Sequence, residues 1–299
     1  MKKTIIALAL VIVLGAVFRL SGLNWDQGHH LHADERFLTM VETSMKWPSH
    51  LKDYFDEARS PLNPRNVGHG FFVYGTLPTT MVKAASILLG KTEYDQVELV
   101  GRTINALLDL GTVLLVFFLA VTLYRDKRLA VLAAAFYAAS VLPVQLAHFF
   151  TVDSFANFFI TAALVCLARL QVGHKFCSLA AAAFLGGLAL ACKTSIFPFF
   201  FLVILVAVYS SRTRSQTAGI RWVGRLIISL LMAGLVSLIA FRIAEPDAFR
   251  GHGFFDLWPS DRWLQNTAEI IPLQCGGIVV CGLAAERPVD RLSDYLVSL

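Results

Sequence analysis

The chain has 299 residues, of which 56% are hydrophobic and 16% charged, well below the roughly 25% charge of an average soluble protein; its mean hydropathy is +0.63. This excludes a soluble globular domain and describes an integral membrane protein. The net charge of +5 does not imply nucleic acid as a partner, because the basic residues sit in short clusters between apolar segments, where they set membrane topology.

Met1-Lys2-Lys3 precede an apolar run from Thr4 to Phe18. No small-x-small cleavage site follows, and Arg19 interrupts the region where one would lie, so the run reads as a retained signal anchor. Stretches long enough to cross a core of about 30 Å are 4–23, 101–124, 129–147, 154–171, 176–192, 195–210 and 222–243. The stretch 69–90 either spans or lies along the surface. Basic loops decide. Lys2 and Lys3 place the N-terminus in the cytoplasm. Arg125-Asp126-Lys127-Arg128, the run Arg212 through Arg225 and the weaker His174-Lys175 all follow it there only if 69–90 does not cross. That stretch is then an interfacial or re-entrant helix, as its glycines, Pro78 and Lys83 suggest. The expected fold is an all-α polytopic membrane protein of about seven transmembrane helices, with a long first external loop, 24–100. The 148–153 turn, Lys193 and the segment from Arg242 onward face the same external compartment.

That loop carries His29-His30-Leu31-His32-Ala33-Asp34-Glu35-Arg36. A carboxylate pair just off a membrane span is either solvated and idle or handles ions, protons or phosphorylated groups. Histidine with carboxylate suits zinc or manganese, but this spacing matches no closed structural zinc site. Asp153 follows a Pro143-x-Gln145 interruption and opens an apolar helix, where it serves as an N-cap, a functional group or both. Asp109 lies inside the second span and needs a partner, with Arg102 or Lys193 as the candidates. Arg59, Arg65, Lys83, Arg102, Lys193 and Arg242 put many cations outside, against the usual bias, and so predict anionic groups there: lipid phosphates or a phosphorylated substrate. The runs Phe71-Phe72-Val73-Tyr74 and Phe197 to Phe201 read as interface anchors and helix packing. Cys166, Cys177 and Cys192 read as small core residues, and Cys275 and Cys281 are too loosely placed for a metal site.

In this order, a signal anchor is followed by His32-Ala33-Asp34-Glu35 and a loop ending in Gly70-Phe-Phe-Val-Tyr-Gly-Thr-Leu-Pro78. Next come Gly101-Arg-Thr-Ile-Asn-Ala-Leu107, a basic turn, Leu129-Ala-Val-Leu-Ala-Ala-Ala-Phe-Tyr-Ala138 and His148-Phe-Phe-Thr-Val-Asp153. This resembles the dolichyl-phosphate-mannose protein mannosyltransferase superfamily of GT-C glycosyltransferases, which includes glycosyltransferase family 39 and the aminoarabinose lipid A transferases. The resemblance runs from about residue 4 to 263, and Gly187-Leu-Ala-Leu-Ala-Cys-Lys193-Thr looks like the lysine-bearing stretch of these enzymes.

The resemblance implies an enzyme that moves a sugar from a polyprenyl-phosphate donor to an acceptor on the external face of the plasma (inner) membrane. It makes Asp34 the base or acceptor-orienting group, with Glu35 beside it in acceptor or metal binding. It makes Asp153 a second acidic residue that helps hold the metal or acceptor. Lys193 and Arg242 are placed to meet the lipid phosphate, and Arg102 and His148 join the substrate-binding set. Asp34 and Asp153 are the candidate ligands for a divalent metal such as Mg, Mn or Zn. The chemistry is consistent: attack on an anomeric carbon needs a carboxylate near the departing proton and a cation on the leaving phosphate. The domain reading is a transmembrane transferase domain over 1–263 and an atypical tail over 264–299, which fits an N-terminal part of the family's longer proteins. The competing readings are a transporter or flippase of lipid-linked saccharides using Asp109 and Asp153 as intramembrane ion sites, and an inert fragment.

Overall fold

In lipid, a main chain is satisfied only by helices or closed barrels, and the long apolar stretches among the described residues are helical. The computed structural model describes residues 2–171, 176–213 and 220–274. Its helices are α1 (Lys2–Leu20), α2 (Ala33–Ser44), α3 (Leu51–Phe55), α4 (Leu77–Leu89), α5 (Tyr94–Tyr124), α6 (Lys127–Ala139), α7 (Val141–Leu146), α8 (Val152–Gln171), α9 (Phe176–Leu190), α10 (Phe199–Thr213), α11 (Ile220–Ala244) and α12 (Asp261–Gln274). A two-residue antiparallel ribbon, β1 (Phe249–Arg250) with β2 (Trp258–Pro259), follows α11.

Among the described residues, five helical segments are long and apolar enough to cross a membrane: Lys2–Leu20, Tyr94–Tyr124, Val152–Leu170, Thr194–Arg212 and Trp222–Ala244. The protein is a multi-pass membrane protein. α9 is a shorter apolar helix of 15 residues. The expected span 129–147 is delivered as two helices, because Ser140 takes an extended conformation (φ −67°, ψ 129°) and breaks α6 from α7. α4 has 13 residues, about 20 Å at 1.5 Å per residue, too short to cross. The loop His174-Lys175 lies outside the described residues, as do 214–219 of the second basic run.

α5 packs between α6 and α8, and α9 between α8 and α11. Small residues make the close approaches: Ala163, Ala182, Ala183 and Ala207 are buried with Leu167, Leu179 and Val203 in one cluster, and Ala130, Ala134 and Ala138 with Val113 in another. The outward faces keep large apolar side chains exposed, such as Leu10 on α1, Phe118 on α5 and Leu231 on α11, as a lipid-facing surface requires. With 31 residues, α5 is about 46 Å long, so one end stands clear of a 30 Å core. Against its first turns lies a third cluster, in which Leu38, Val41 and Met45 of α2 meet Val82 of α4, Val97 and Val100 of α5, and Phe150 and Phe155 around the start of α8.

This clustering gathers the first long loop, the 148–153 turn, the α9–α10 turn and the segment after α11 at one end of the bundle. Gly101 is needed here: a Cβ would stand 2.4 Å from the Phe150 ring. The basic turn Arg125–Arg128 is at the other end of α5, where Asp126 caps α6 by accepting from the Arg128 amide at 2.7 Å. Of the tail 264–299, residues up to 274 belong to α12, so the boundary placed at 263 falls inside a helix. That helix docks back on the loop layer: Arg262 Nε donates to Glu57 Oε1 at 3.0 Å and Trp263 Nε1 to Glu245 Oε1 at 2.9 Å. Cys275 and Cys281 lie outside the described residues.

Candidate active site

His32 opens α2, its Nδ1 accepting from the Glu35 amide at 3.4 Å. Side chains of successive helical residues diverge by about 100°, so Asp34 and Glu35 meet different surroundings. Glu35 is fully buried. Its Oε1 and Oε2 accept from Arg102 Nε and Nη2 at 2.8 and 2.7 Å, and Oε1 also accepts from the Phe150 amide at 2.7 Å. Asp34 is exposed and, among the described residues, has no hydrogen bond or ion pair. The carboxylate pair is thus one clamp and one free group.

Arg102, on α5, is fully buried and carries more than Glu35. Its Nη1 and Nη2 donate to Asp26 Oδ1 and Oδ2 at 2.9 and 2.8 Å, and Nη1 donates to the Leu23 carbonyl at 2.7 Å. Nη2 also meets Glu98, one turn earlier on the same helix. The guanidinium beside Asp26 holds its carboxyl well below the usual carboxylate range. His30 adds a further positive partner when protonated, with Nε2 3.3 Å from Glu98 Oε2. Removing one member of such a set leaves a buried unpaired charge, which costs about 3–5 kcal/mol.

The 148–153 turn is held from three sides. Asn105 Nδ2 donates to the Phe149 and Thr151 carbonyls at 2.6 and 3.0 Å, Glu35 takes the Phe150 amide, and the Phe149 ring stacks on His32 at 4.3 Å. His148 places Nδ1 2.8 Å from the Val144 carbonyl and Nε2 3.0 Å from the Ser21 carbonyl. A cleft of about 220 Å³ opens here, lined by Trp25, Gln145, His148 and Phe149. The turn delivers Asp153 into the first turn of α8, where Oδ1 accepts from Lys193 Nζ at 2.7 Å. Both side chains remain about one-third exposed.

Lys193 is positioned by main chain. The Gly75 amide donates to the Cys192 carbonyl at 3.0 Å and the Leu77 amide to the Ala191 carbonyl at 3.2 Å. A Cβ at position 75 would lie 1.9 Å from the Ala191 oxygen, so the approach requires glycine. Next to it, Thr76 Oγ1 donates to Asp247 Oδ1 at 3.0 Å, and Arg65 Nη1 donates to Asp247 Oδ2 at 2.6 Å.

The cations expected outside therefore divide. Lys83 is buried with Glu42, 3.7 Å away, and Arg65 with Asp247. Arg102 is closed by carboxylates. Arg242 is fully buried and donates to the carbonyls of Phe254, Pro246 and Gly253 at 3.1, 2.7 and 2.6 Å, beneath the Phe55 and Phe249 rings. The expectation that Arg102 and Arg242 meet a substrate is corrected on this geometry: their donors are spent on the protein. Glu35 likewise holds the loop rather than reaching outward, and both nitrogens of His148 face carbonyls. Only Lys193 and Arg59 of that cation set stay accessible, Arg59 with its side chain 79% exposed.

Asp109 is corrected too. Its partner is neither Arg102 nor Lys193 but Arg19, whose Nε lies 2.6 Å from Oδ2, while Tyr137 donates its hydroxyl to Oδ1 at 2.5 Å. As for a metal, the described residues bring three ligand-type groups within reach of one another only at Asp26, Glu35 and Glu98, and Arg102 already fills that space. Asp34 and Asp153 gather no third ligand among the described residues, and Asp153 Oδ1 is taken by Lys193. The donor set does not fit a resident divalent ion at Asp34 and Asp153.

Sequence reasoning passed over Asp26, Glu98 and Asp247. Glu98 and Arg102 stand four apart on one helix, a spacing that signals a pair. Asp26 and Asp247 lie in loops, where only the tertiary fold reveals their partners.

The family profile of dolichyl-phosphate-mannose-protein mannosyltransferase matches residues 86–244, an interval holding Arg102, His148, Asp153, Lys193 and Arg242; Asp34 and Glu35 precede it. No curated protein gives a significant sequence match. Among solved structures, the chain is similar to the Saccharomyces cerevisiae protein O-mannosyltransferase Pmt1-Pmt2 complex bound to the sugar donor, with a TM-score of 0.61 at 17% identity, over 83% of this chain and 35% of that one. The chain thus spans about a third of the length of the protein it matches, and the likeness shows the GT-C fold. On the matched interval and the shared fold, the chain belongs to the dolichyl-phosphate-mannose-protein mannosyltransferase family, a family of membrane glycosyltransferases.

Proposed function

We propose that the chain forms the sugar-transfer site of a glycosyltransferase using a polyprenyl-phosphate-linked donor, on the external face of the membrane. The observation that carries this reading is the division of labour at α2: Glu35 is locked to Arg102 and the Phe150 amide, and Asp34, next to it, is left free. A free carboxylate on a clamped helix start suits a general base. The acceptor hydroxyl or amine gives its proton to Asp34 as its oxygen or nitrogen bonds to the anomeric carbon, and the bond from that carbon to the phosphate oxygen breaks with inversion. The departing polyprenyl phosphate keeps the electron pair and takes on negative charge. Lys193, accessible and tethered to Asp153, stabilises that charge by exchanging its carboxylate partner for the phosphate. The external placement is supported by the basic turns at the far end of the bundle.

The two roles separate experimentally. Asp34→Asn is expected to retain affinity for the lipid-linked sugar while turnover falls by about 10²–10⁴, the range for loss of a general base. Lys193→Met is expected to weaken binding of polyprenyl phosphate itself. Donor binding lost in Asp34→Asn, or unaltered in Lys193→Met, contradicts the assignment. A transporter using Asp109 as an intramembrane ion site finds no support, since both oxygens of that carboxylate are occupied by Arg19 and Tyr137.

A further inference from the structure

A chain of hydrogen bonds crosses the bundle from α1 to α8 and ends in the open. Arg19 is fully buried on α1; besides its bond to Asp109 it donates from Nη1 to the Ala138 carbonyl at 2.9 Å. Asp109 accepts the Tyr137 hydroxyl, and the Tyr137 oxygen accepts from Asn157 Nδ2 at 2.7 Å. Asn157 is exposed. It stands four residues after Asp153 on α8, so the two share a helix face about 6 Å apart along the axis.

Closing Asp109 does not require Asn157. The carboxylate has Arg19 on one oxygen and Tyr137 on the other, and Tyr137 has already spent its only proton. An amide exposed on an apolar span is unfavourable in lipid, and here it is also fixed in direction by an ion pair two hydrogen bonds away. Its second N–H and one lone pair of Oδ1 have no partner among the described residues; the other lone pair accepts from Thr161 Oγ1 at 3.5 Å. One donor and one acceptor on a rigid planar group match a pair of neighbouring hydroxyls.

We propose that Asn157 binds hydroxyls of the donor's sugar, and that the Tyr137–Asp109–Arg19 chain is the device that holds it in place. This rests on the transfer reading for the identity of the donor, and it adds a specificity-determining residue to it. Sugar rather than phosphate is the fitting ligand because the amide is uncharged, whereas the accessible cation of this face, Lys193, sits at its other end beside Asp153.

The test is equilibrium binding of two lipids, a polyprenyl-phosphate sugar and the bare polyprenyl phosphate, to membranes bearing the wild type, Asn157→Ala or Tyr137→Phe. In the wild type the sugar-bearing lipid binds more tightly. Asn157→Ala is expected to weaken the sugar-bearing lipid about tenfold, in keeping with the loss of one or two hydrogen bonds, and to leave the bare lipid unchanged. Tyr137→Phe, which frees the amide without removing it, should give a smaller loss of the same kind. Equal weakening of both lipids, or no weakening of either, overturns the proposal. Because the measurement reads binding, it is separable from transfer: a wild type that holds the sugar through Asn157 yet releases no polyprenyl phosphate contradicts the transfer reading alone.

Discussion

Adjacent residues with the same chemistry acquire opposite fates here. Asp34 and Glu35 differ by one position, and helix rotation sends one to solvent and the other onto Arg102. Glu245 shows a different outcome of burial. It is 1% exposed, Oε1 accepts from Trp263, and Oε2 has no partner among the described residues. Loss of water, with Asp247 nearby, pushes its carboxyl well above the usual value. The sign follows from linkage. Below pH of about 4.5 Glu245 is neutral folded and unfolded; as pH rises toward its folded value, the unfolded state ionises first and stability falls, by about 1.4 kcal/mol per pH unit between the two values. Glu245→Gln keeps the acceptor for Trp263 and removes the ionisation, so the variant's melting temperature should decline less between pH 5 and 8 than the wild type's. Parallel decline in both proteins would place the titrating group elsewhere.

At the scale of elements, the Gly75–Leu77 segment at the start of α4 and the Ala191–Lys193 turn form one unit through two main-chain hydrogen bonds. Gly75→Val forces a side chain into the Ala191 carbonyl. Overpacking of this kind costs about 1–3 kcal/mol, and it should displace Lys193, so thermal unfolding and affinity for polyprenyl phosphate are expected to fall together. A variant that melts earlier with affinity intact would uncouple Lys193 from the loop. The helices themselves were largely readable, since apolar length and basic flanks depend on local sequence alone. The break at Ser140 was less so: Pro143 announced an interruption, but the sequence does not say which residue leaves the helix. The pairing of Asp109 with Arg19 was missed for a related reason. The two lie 90 residues apart, and only the packing of α1 against α5 and α6 joins them. Arg242 illustrates the same point, because its carbonyl partners come from loops with no charge signature.

For the whole molecule, the arrangement is an apolar bundle with a structured cap at one end. The cap concentrates ionisable groups that lipid would not tolerate: Arg65, Lys83, Arg102 and Arg242 are enclosed and satisfied internally, whereas Lys46, Lys52, Arg59 and Lys91 stay exposed. Topology is checkable without reference to chemistry. A cysteine introduced at exposed Arg59 is expected to react with a membrane-impermeant maleimide from outside intact cells, and one at Lys127 only after permeabilisation. The reverse pattern would turn the protein over and move the cap to the cytoplasm.

The proposed role of Asp34 as the base for transfer from a lipid-phosphate donor is open to direct measurement. The most direct measurement is release of polyprenyl phosphate from a polyprenyl-phosphate sugar by membranes containing the wild type or Asp34→Asn at matched insertion levels. Release is expected from the wild type and is expected to fall by about 10²–10⁴ in the variant. Equal release by the two would contradict that role.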